Sequence, residues 1–344
     1  MGVGPPCPEP GKLRSGATIQ RSGTLLSMIQ DDLNRLALPE LYRTLSQSGL
    51  VRRLLELARD EDQLAIGDIT TAACLPEGRA GSAEIVARTE GIVSGLSALP
   101  EMVSIFAPGT TVRLHAADGQ WITGRSTLAE LSGPMGEILA LERIALNLIG
   151  RLSGVATKTN QFVTAMGQGC RAKLYDTRKT TPGLRVLEKY AVRCGGGFSH
   201  RMGLHDAVLI KDNHIAGVSP RQLPEFLARA SQRARARVGA KPSFIEVEAD
   251  SLEQFEAMLT LEPGVIDIVL LDNMTCDQLR QAASLRDAKN PGLELEASGG
   301  VKLGTVHEIA RTGVDRISVG ALTHSAVSID VAMDIDASAE RSPA

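Results

Sequence analysis

The spacing of apolar positions in the first third of the chain predicts a small domain of mixed helices and strands. Leu50, Leu54 and Leu57 recur at helical intervals with charged residues between them. Strand-like runs follow at residues 82–88, 91–94 and 111–116. Asp118-Gly119 is a hairpin signal that leads into residues 120–122. We expect an α+β domain built on an open-faced antiparallel sheet.

A long helix is predicted next, with Ser132 as its N-cap and Pro134 in its first turn. Its apolar positions form one face, made of Ile138, Leu141, Ala145, Leu148 and Leu152. Arg143 lies on a polar stripe elsewhere around the same helix. This helix therefore separates a buried face from one that is free to carry function.

The second half of the chain repeats a different unit, a short apolar run followed by a helical stretch. The runs lie at residues 173–175, 207–210, 244–247, 268–271, 293–297 and 317–319. Their regular spacing is typical of successive βα units, which form parallel sheets with right-handed crossovers. After them, residues 328–335 alternate between apolar and polar, which predicts a strand that returns to the first domain's sheet.

The ends of these runs favour an α/β barrel. They carry Thr177-Arg178-Lys179, Lys211-Asp212-Asn213, Glu248, Asp272-Asn273, Ser298-Gly299-Gly300 and Gly320. A barrel places its active site at the carboxyl ends of all its strands. A doubly wound sheet would concentrate its site near one switch point, so charged or glycine-rich turns after six strands indicate a barrel.

The predicted organisation has four parts. Residues 1–25 are rich in Gly, Pro and Ser and are expected to be a disordered extension, followed by the α+β domain at 26–155. The barrel is expected at 156–325, and the returning strand with a tail at 326–344. With 43% hydrophobic and 22% charged residues among 344, the chain has the composition of a soluble globular protein.

Composition also limits the partners and the setting. No apolar run approaches the roughly 20 residues that span a bilayer, so no membrane partner is expected. Five widely spread cysteines without a C-x-x-C pair argue against a disulfide framework or zinc site and favour the cytoplasm. The net charge of −3 does not indicate nucleic-acid binding.

Positive charge is concentrated within residues 171–211, where nine basic residues face three acidic ones. Arg178 and Lys179 lie where a strand leads into a helix, so cations and free backbone N–H groups would meet there. Lys211 ends a strand and should point into the barrel mouth, whereas the position of Arg201 depends on a loop. The alternative for Arg178 and Lys179 is a solvated basic turn, and Arg185, Lys189 and Arg193 are more simply a charged helix surface.

Acidic and glycine-rich strand ends complete the candidate chemistry. Glu248 and Asp272 on adjacent strands suit Mg²⁺ or sugar hydroxyls, with ion pairs to nearby lysines as the alternative. Glycine lets backbone amides approach a phosphate. The turns Ser298-Gly299-Gly300 and Val319-Gly320-Ala321 are therefore a candidate phosphate site, although each could be a simple tight turn. The residues alone indicate an anion-binding barrel enzyme that acts on a sugar phosphate.

At these residues the chain resembles the quinolinate phosphoribosyltransferases. The resemblance is carried by Gly67-Asp68-Ile69-Thr70-Thr71, the stretch from Leu141-Glu142-Arg143 to Ala156, Asp176 to Gly183, Glu188-Lys189-Tyr190, Ser199-His200-Arg201, Lys211-Asp212-Asn213-His214, Glu246-Val247-Glu248, Leu271-Asp272-Asn273 and Glu296-Ala297-Ser298-Gly299-Gly300. It covers about residues 50 to 335. It implies transfer of phosphoribose from phosphoribosyl pyrophosphate (PRPP) to quinolinate with loss of CO₂, giving nicotinate mononucleotide for NAD biosynthesis.

The resemblance also implies residue roles. Quinolinate would meet Arg178, His200, Arg201 and Lys211, with Arg143 reaching in from the other subunit of a homodimer. PRPP would meet Thr177, Lys179, Glu248, Asp272, Ser298, Gly299, Gly300, Val319, Gly320 and Ala321. Lys179, Lys211, Glu248 and Asp272 would be catalytic, and Glu248 and Asp272 would hold Mg²⁺. The alternatives are a related phosphoribosyltransferase-like protein with another acceptor and a non-catalytic nucleotide-binding relative.

Overall fold

The computed structural model describes residues 33–237 and 242–336. The extension predicted at residues 1–25 lies outside them. The first domain contains the helices α1 (Leu38–Ser46), α2 (Leu50–Gln63), α3 (Ile69–Cys74) and α4 (Leu99–Phe106), with a 3₁₀ turn at Leu96–Ala98. Among the described helices, none is long and apolar enough to cross a membrane.

A four-stranded antiparallel sheet forms the centre of this domain. Its order is β12-β1-β5-β3, from strands β1 (Ala80–Ala87), β3 (Thr111–Leu114), β5 (Thr127–Pro134) and β12 (Val331–Asp336). Because β12 pairs with β1 from Ser82↔Asp336 to Ala87↔Val331, the chain returns to the first domain after it has completed the second. Buried side chains such as Ile85 and Leu131 pack the sheet against the helices.

Two local predictions in this domain are wrong. The strand after Asp118-Gly119 is β4 (Trp121–Ile122), and it pairs with β2 (Gly91–Ile92) rather than with β3. Asp118 accepts backbone hydrogen bonds from Leu96 and Ser97 at 2.9 Å, which ties this turn to the 3₁₀ segment. Ser132 is not a helix cap, because it belongs to β5 and pairs with Ser82.

The long helix α5 (Met135–Met166) follows directly from β5, with Pro134 at its N-cap position. The apolar positions Ile138, Leu141 and Ala145 are completely buried, as the periodicity predicted. Gly154 lets the backbone of Val327 cross this helix, since a Cβ there would lie 2.1 Å from the Val327 carbonyl oxygen. The helix thus contacts both domains and the connection to β12.

The second domain is a six-stranded parallel sheet in the order β6-β11-β10-β9-β8-β7. Its strands are β6 (Lys173–Tyr175), β7 (Val208–Ile210), β8 (Ile245–Ala249), β9 (Ile268–Asp272), β10 (Glu294–Ser298) and β11 (Arg316–Ser318). The helices are α6 (Arg185–Cys194), α7 (Leu223–Arg237), α8 (Leu252–Met258), α9 (Cys276–Lys289), α10 (Val306–Ala310) and α11 (Ala321–His324).

The sheet curls into an open barrel. His200, which follows α6, brings its ring within 2.9 Å of Glu246 on β8 and 3.4 Å of Glu296 on β10. Within the described residues, no strand pairing joins the edge strands β6 and β7. Phe198 instead forms a parallel bridge with Tyr175 and lies along the β6 edge. The predicted α/β barrel beside an antiparallel-sheet domain is therefore confirmed, with a seam between β6 and β7.

Candidate active site

The loop that joins β6 to α6 carries Arg178 and is held from behind by α6. Glu188, which is fully buried, accepts hydrogen bonds from the Thr181 backbone N–H at 2.9 Å and from the Thr181 hydroxyl at 3.0 Å. Arg151 on α5 pairs with the same carboxylate at 2.8 Å. The Nε of Arg178 is buried without a hydrogen-bond partner, and no described carboxylate pairs with this guanidinium. The loop therefore offers an uncompensated buried donor.

Arg201 reaches the same end of the barrel as Arg178. Tyr175 and Phe198 form a parallel bridge, so both segments run in the same direction from that point. Arg178 and Arg201 each lie three residues beyond the bridge and are therefore at the same height along the barrel axis. Arg201 is buried and donates to the Ala207 carbonyl at 3.3 Å. Burial and the positive charge of Arg178 lower its pKa. Glu246 and Asp206 oppose this shift through space, but among the described residues neither guanidinium forms a direct ion pair with a carboxylate. Two guanidinium groups without a direct carboxylate partner are an arrangement suited to an anion of charge −2.

A cleft of about 1160 Å³ opens beside the seam and is lined by Arg178, His200 and Arg201. Thr181 and Pro182 line it from the β6–α6 loop. Lys211, Glu248 and Asp272 are not among its lining residues. The three carboxylate-binding candidates, on the loop after β6 and on the segment after α6, therefore share one cleft, and the strand ends of β7 to β9 form a separate group.

His200 differs from the two arginines in its surroundings. Burial opposes its charge, but Glu296 and Glu246 outweigh that effect and raise its pKa to about 10. Its Nδ1 lies 2.8 Å from the Arg201 backbone N, a hydrogen bond that forms only when the ring is neutral. This contact and the raised pKa therefore favour opposite charge states of His200. Both ring nitrogens are thus engaged within the protein. The ring orients Arg201, and its predicted contact with quinolinate stays a prediction.

The strand ends of β7, β8 and β9 bring Lys211 and two carboxylates together. Lys211 pairs with Glu248, whose side chain is buried, while the lysine is half exposed. Carboxylate oxygens of Glu248, Asp250 and Asp272 all lie within 4.8 Å of one another. Three oxygen donors at this spacing match the ligand type that Mg²⁺ prefers. The structure therefore brings together Glu248 and Asp272 and adds Asp250.

Lys179 and the end of β11 form one packed unit. The Lys179 carbonyl accepts a hydrogen bond from the Thr323 hydroxyl at 2.7 Å, and its N–H donates to Thr177 Oγ1 at 3.0 Å. A Cβ on Gly320 would lie 2.8 Å from Cδ of the Lys179 side chain. Val319 and Ala321 flank this glycine at the start of α11. Glycine at position 320 thus lets the exposed lysine cross the strand end.

The turns after β9 and β10 fit against each other. Gly299 has φ +85°, and a Cβ there would lie 2.9 Å from the backbone nitrogen of Asn273. Asn273 in turn donates its N–H to the Ser298 carbonyl at 2.9 Å and its Nδ2–H to Asp272 at 2.6 Å. Gly300 has φ +61° with open space where a Cβ would lie. This backbone leaves room for a bound group above Ser298 and Gly300, as a phosphate site requires.

Within one chain, Arg143 does not lie beside the other predicted quinolinate-binding residues. Its side chain is 65% exposed on α5 and lies 3.6 Å from Glu142, its neighbour in sequence. It does not line the cleft that Arg178 and Arg201 share. Its predicted role depends on a second subunit.

Sequence reasoning missed Asp250 and the residues that hold the loops. Glu246, Glu248 and Asp250 are two positions apart, and strand alternation could have placed Asp250 on the same face as Glu248. Lys189 was predicted to lie on a charged helix surface, yet it is completely buried, as is its neighbour Glu188. No periodicity signal distinguishes them, because their partners come from distant parts of the chain.

The chain matches two family profiles that together span most of its described length. Residues 68–153 match the N-terminal domain of quinolinate phosphoribosyl transferase, and residues 155–334 match its C-terminal domain. A probable nicotinate-nucleotide pyrophosphorylase (carboxylating) of Bacillus subtilis is 40% identical over 279 residues, which are 81% of this chain and 91% of that protein. The Mycobacterium leprae nicotinate-nucleotide pyrophosphorylase (carboxylating) is 42% identical over 270 residues, covering 78% of this chain and 91% of its own length.

A solved structure has the same architecture. The nicotinate-nucleotide pyrophosphorylase from Francisella tularensis superposes with a TM-score of 0.74 at 35% identity, and the match covers 89% of this chain and 99% of that one. Both domains and their order are thus shared with these proteins. The chain belongs to the quinolinate phosphoribosyltransferase family.

Proposed function

We propose that this protein transfers phosphoribose from PRPP to quinolinate and releases CO₂ and pyrophosphate, giving nicotinate mononucleotide. The observation that carries the proposal is the pair Arg178 and Arg201, which share a cleft and lack carboxylate partners among the described residues. Quinolinate has two adjacent carboxylates, so it matches two neighbouring guanidinium groups in charge. An acceptor with one carboxylate would leave one of these cations uncompensated. Membership of the family supports the same reaction.

The reaction balances with the groups present. The bond between ribose C1 and the pyrophosphate oxygen breaks, and the pyridine nitrogen forms the new bond to C1. The positively charged ring then accepts the electron pair from the adjacent ring–carboxylate bond, CO₂ leaves, and that ring carbon takes up a proton. No residue needs to form a covalent intermediate, so the protein acts by positioning and by neutralising charge.

PRPP is expected along the strand ends. Lys179 and Lys211 would offset the charge of the pyrophosphate as it leaves, and Thr177 would lie beside it. Glu248 and Asp272 would bind ribose hydroxyls, and the 5-phosphate would lie on Ser298, Gly299, Gly300, Val319, Gly320 and Ala321. Glu248, Asp250 and Asp272 fit Mg²⁺ because their oxygens converge, and Mg²⁺ would supply further neutralisation of the leaving group.

The proposal includes assembly and setting. A homodimer would bring Arg143, which is 65% exposed and pairs with its neighbour Glu142, to the partner's cleft. The described cysteines Cys74, Cys170, Cys194 and Cys276 are all free thiols, which suits the cytoplasm. Light scattering with and without Arg143→Ala, and mixing of that variant with Arg178→Ala, would test for a shared site. Mixed dimers should regain activity if the arginine acts across the interface.

The decisive test of the activity is CO₂ release from carboxyl-labelled quinolinate, with PRPP and Mg²⁺ omitted in turn. Release that needs both, in step with nicotinate mononucleotide formation, is the expected result. Arg178→Ala is the matched negative control. Equal turnover of nicotinate, or no release from a protein that still binds PRPP, would contradict the proposal and indicate another acceptor or a binding role.

A further inference from the structure

We propose that the buried ion pair Asp176–Lys189 is a positioning device for quinolinate: it fixes Arg201 opposite Arg178. This inference rests on the proposed function. Asp176 directly follows β6, two residues before Arg178, and Lys189 lies on α6. Neither side chain is exposed to solvent, so the pair itself cannot contact a substrate in the cleft.

The pair holds the peptide units on both sides of His200. The Asp176 carboxylate accepts the His200 backbone N–H at 2.9 Å. The Lys189 ammonium donates to the His200 carbonyl at 3.2 Å and pairs with the same Asp176 oxygen. Arg201 is the next residue. Its Cα position is therefore set by His200, whose backbone N–H and carbonyl are both bound by the ion pair.

These contacts begin where regular strand pairing ends. The Phe198 carbonyl accepts the Asp176 N–H at 3.1 Å, which is the last backbone bond between the two segments. Beyond it, the Asp176 side chain replaces a backbone acceptor and extends the pairing to His200. The segment that carries Arg201 is thus attached to β6 by a side chain rather than by a sheet ladder.

The chemical advantage is that the guanidinium groups stay free of direct ion pairs. Two buried cations repel each other, so they remain adjacent only if the backbone holds them. A carboxylate bound directly to Arg201 would hold it equally well but would compete with the carboxylates of quinolinate. The Asp176–Lys189 pair has no net charge and binds the backbone, which leaves the Arg201 donors available.

The test uses the double variant Asp176→Asn/Lys189→Met in the full-length protein. It removes both charges of the pair together, and the oxygen of the introduced amide can still accept the His200 N–H, so the fold is expected to persist. The expected result is a rise of about tenfold in the KM for quinolinate, with the KM for PRPP changed less than about twofold. Asp176→Asn/Lys189→Gln, which restores a donor to the His200 carbonyl, should recover part of the loss.

A general loss of stability would look different. Arg286→Met breaks another buried ion pair, with Asp315 at 2.5 Å, and should lower the melting temperature while leaving both KM values unchanged. The inference is overturned if the folded double variant keeps the wild-type KM for quinolinate, or if both KM values rise equally. Failure of the proposed function would appear instead in the wild type, as absence of PRPP-dependent CO₂ release.

Discussion

The two ends of the barrel both bury arginines, but they treat them in opposite ways. At the amino end, Arg286 uses all three nitrogens, donating to Asp287, Asp315 and the carbonyls of Leu293 and Gly313 at 2.5 to 3.1 Å. Arg316 pairs with Glu296 at 2.7 Å and stacks 3.7 Å above the Tyr175 ring. At the carboxyl end, Arg178 and Arg201 form no direct ion pair with a carboxylate among the described residues, and Glu246 and Asp206 act on Arg201 only through space.

The difference separates stability from function. A buried cation is costly unless a carboxylate or an acceptor compensates for it. At the amino end the protein supplies that compensation, and the arginines connect the strands that begin there. At the carboxyl end the substrate supplies the compensating negative charge. The ion pairs with Arg178 and Arg201 then form on binding, and their free energy contributes to affinity rather than to folding.

The largest expected effect is on Arg178→Ala, which should lower kcat/KM for quinolinate by about a thousandfold. The KM for PRPP should change by no more than a few-fold. Because the variant removes a buried donor without a partner and relieves repulsion of Arg201, the melting temperature should stay the same or rise. Steady-state kinetics and calorimetry together check this, and a clear loss of stability would break the comparison.

At the other end, Arg286→Met should lower the free energy of unfolding by about 2 kcal/mol, because Asp315 loses its buried partner and keeps only the exposed Arg171 and the Leu295 N–H. Denaturant unfolding measures this effect. Kinetic constants at low temperature should match those of the wild type. A selective change in the KM for quinolinate would show that the two ends are coupled.

The pH dependence of stability tests whether His200 is charged. Its pKa is raised from 6.5 to about 10 by Glu296 and Glu246, so the folded state would keep a proton that the unfolded state releases. The stabilisation is present below pH 6.5 and is lost as the pH rises to 10, by about 2 kcal/mol or more. The slope should disappear in His200→Gln. If the neutral ring that accepts from Arg201 dominates, the wild type will show no slope either.

The smallest effect is expected for Asp250→Asn. Since Glu248 and Asp272 remain, turnover at saturating Mg²⁺ should be nearly unchanged, while the Mg²⁺ concentration for half-maximal activity rises about threefold. A Mg²⁺ titration measures this shift. Glu256→Gln, an exposed change on the following helix, is the matched control, and equal behaviour of both variants would remove Asp250 from the group.

The strand ends could be predicted from the sequence because each one follows a short apolar run. Lys211, Glu248 and Asp272 each end an apolar run, so their arrival at one edge required only that the sheet be parallel. The position of Arg201 beside Arg178 could not be predicted from apolar runs, because it depends on the bridge between Tyr175 and Phe198. The pairing of β4 with β2 was missed because local turn signals do not reveal which strand lies opposite.

The buried pairs of α6 show a second limit. Glu188 and Lys189 have the composition of a solvated face, and only their partners Thr181, Arg151 and Asp176 reveal that both are interior. Such partners come from segments that are distant in sequence or run across a loop. A hydrophobic pattern identifies where apolar side chains are buried. It contains no information on charged side chains that are buried in ion pairs or hydrogen bonds within the protein.

The position of β12 has a consequence for synthesis on the ribosome. Strand β1 is made early, but its partner β12 emerges only after the whole barrel has been translated. Until then one edge of the first domain's sheet has unpaired backbone groups, which is the kind of surface that invites association between nascent chains. The first domain is thus synthesised before the barrel, but its sheet is completed only after the barrel. A ribosome that stalls within the barrel therefore leaves an incomplete sheet that needs protection by chaperones.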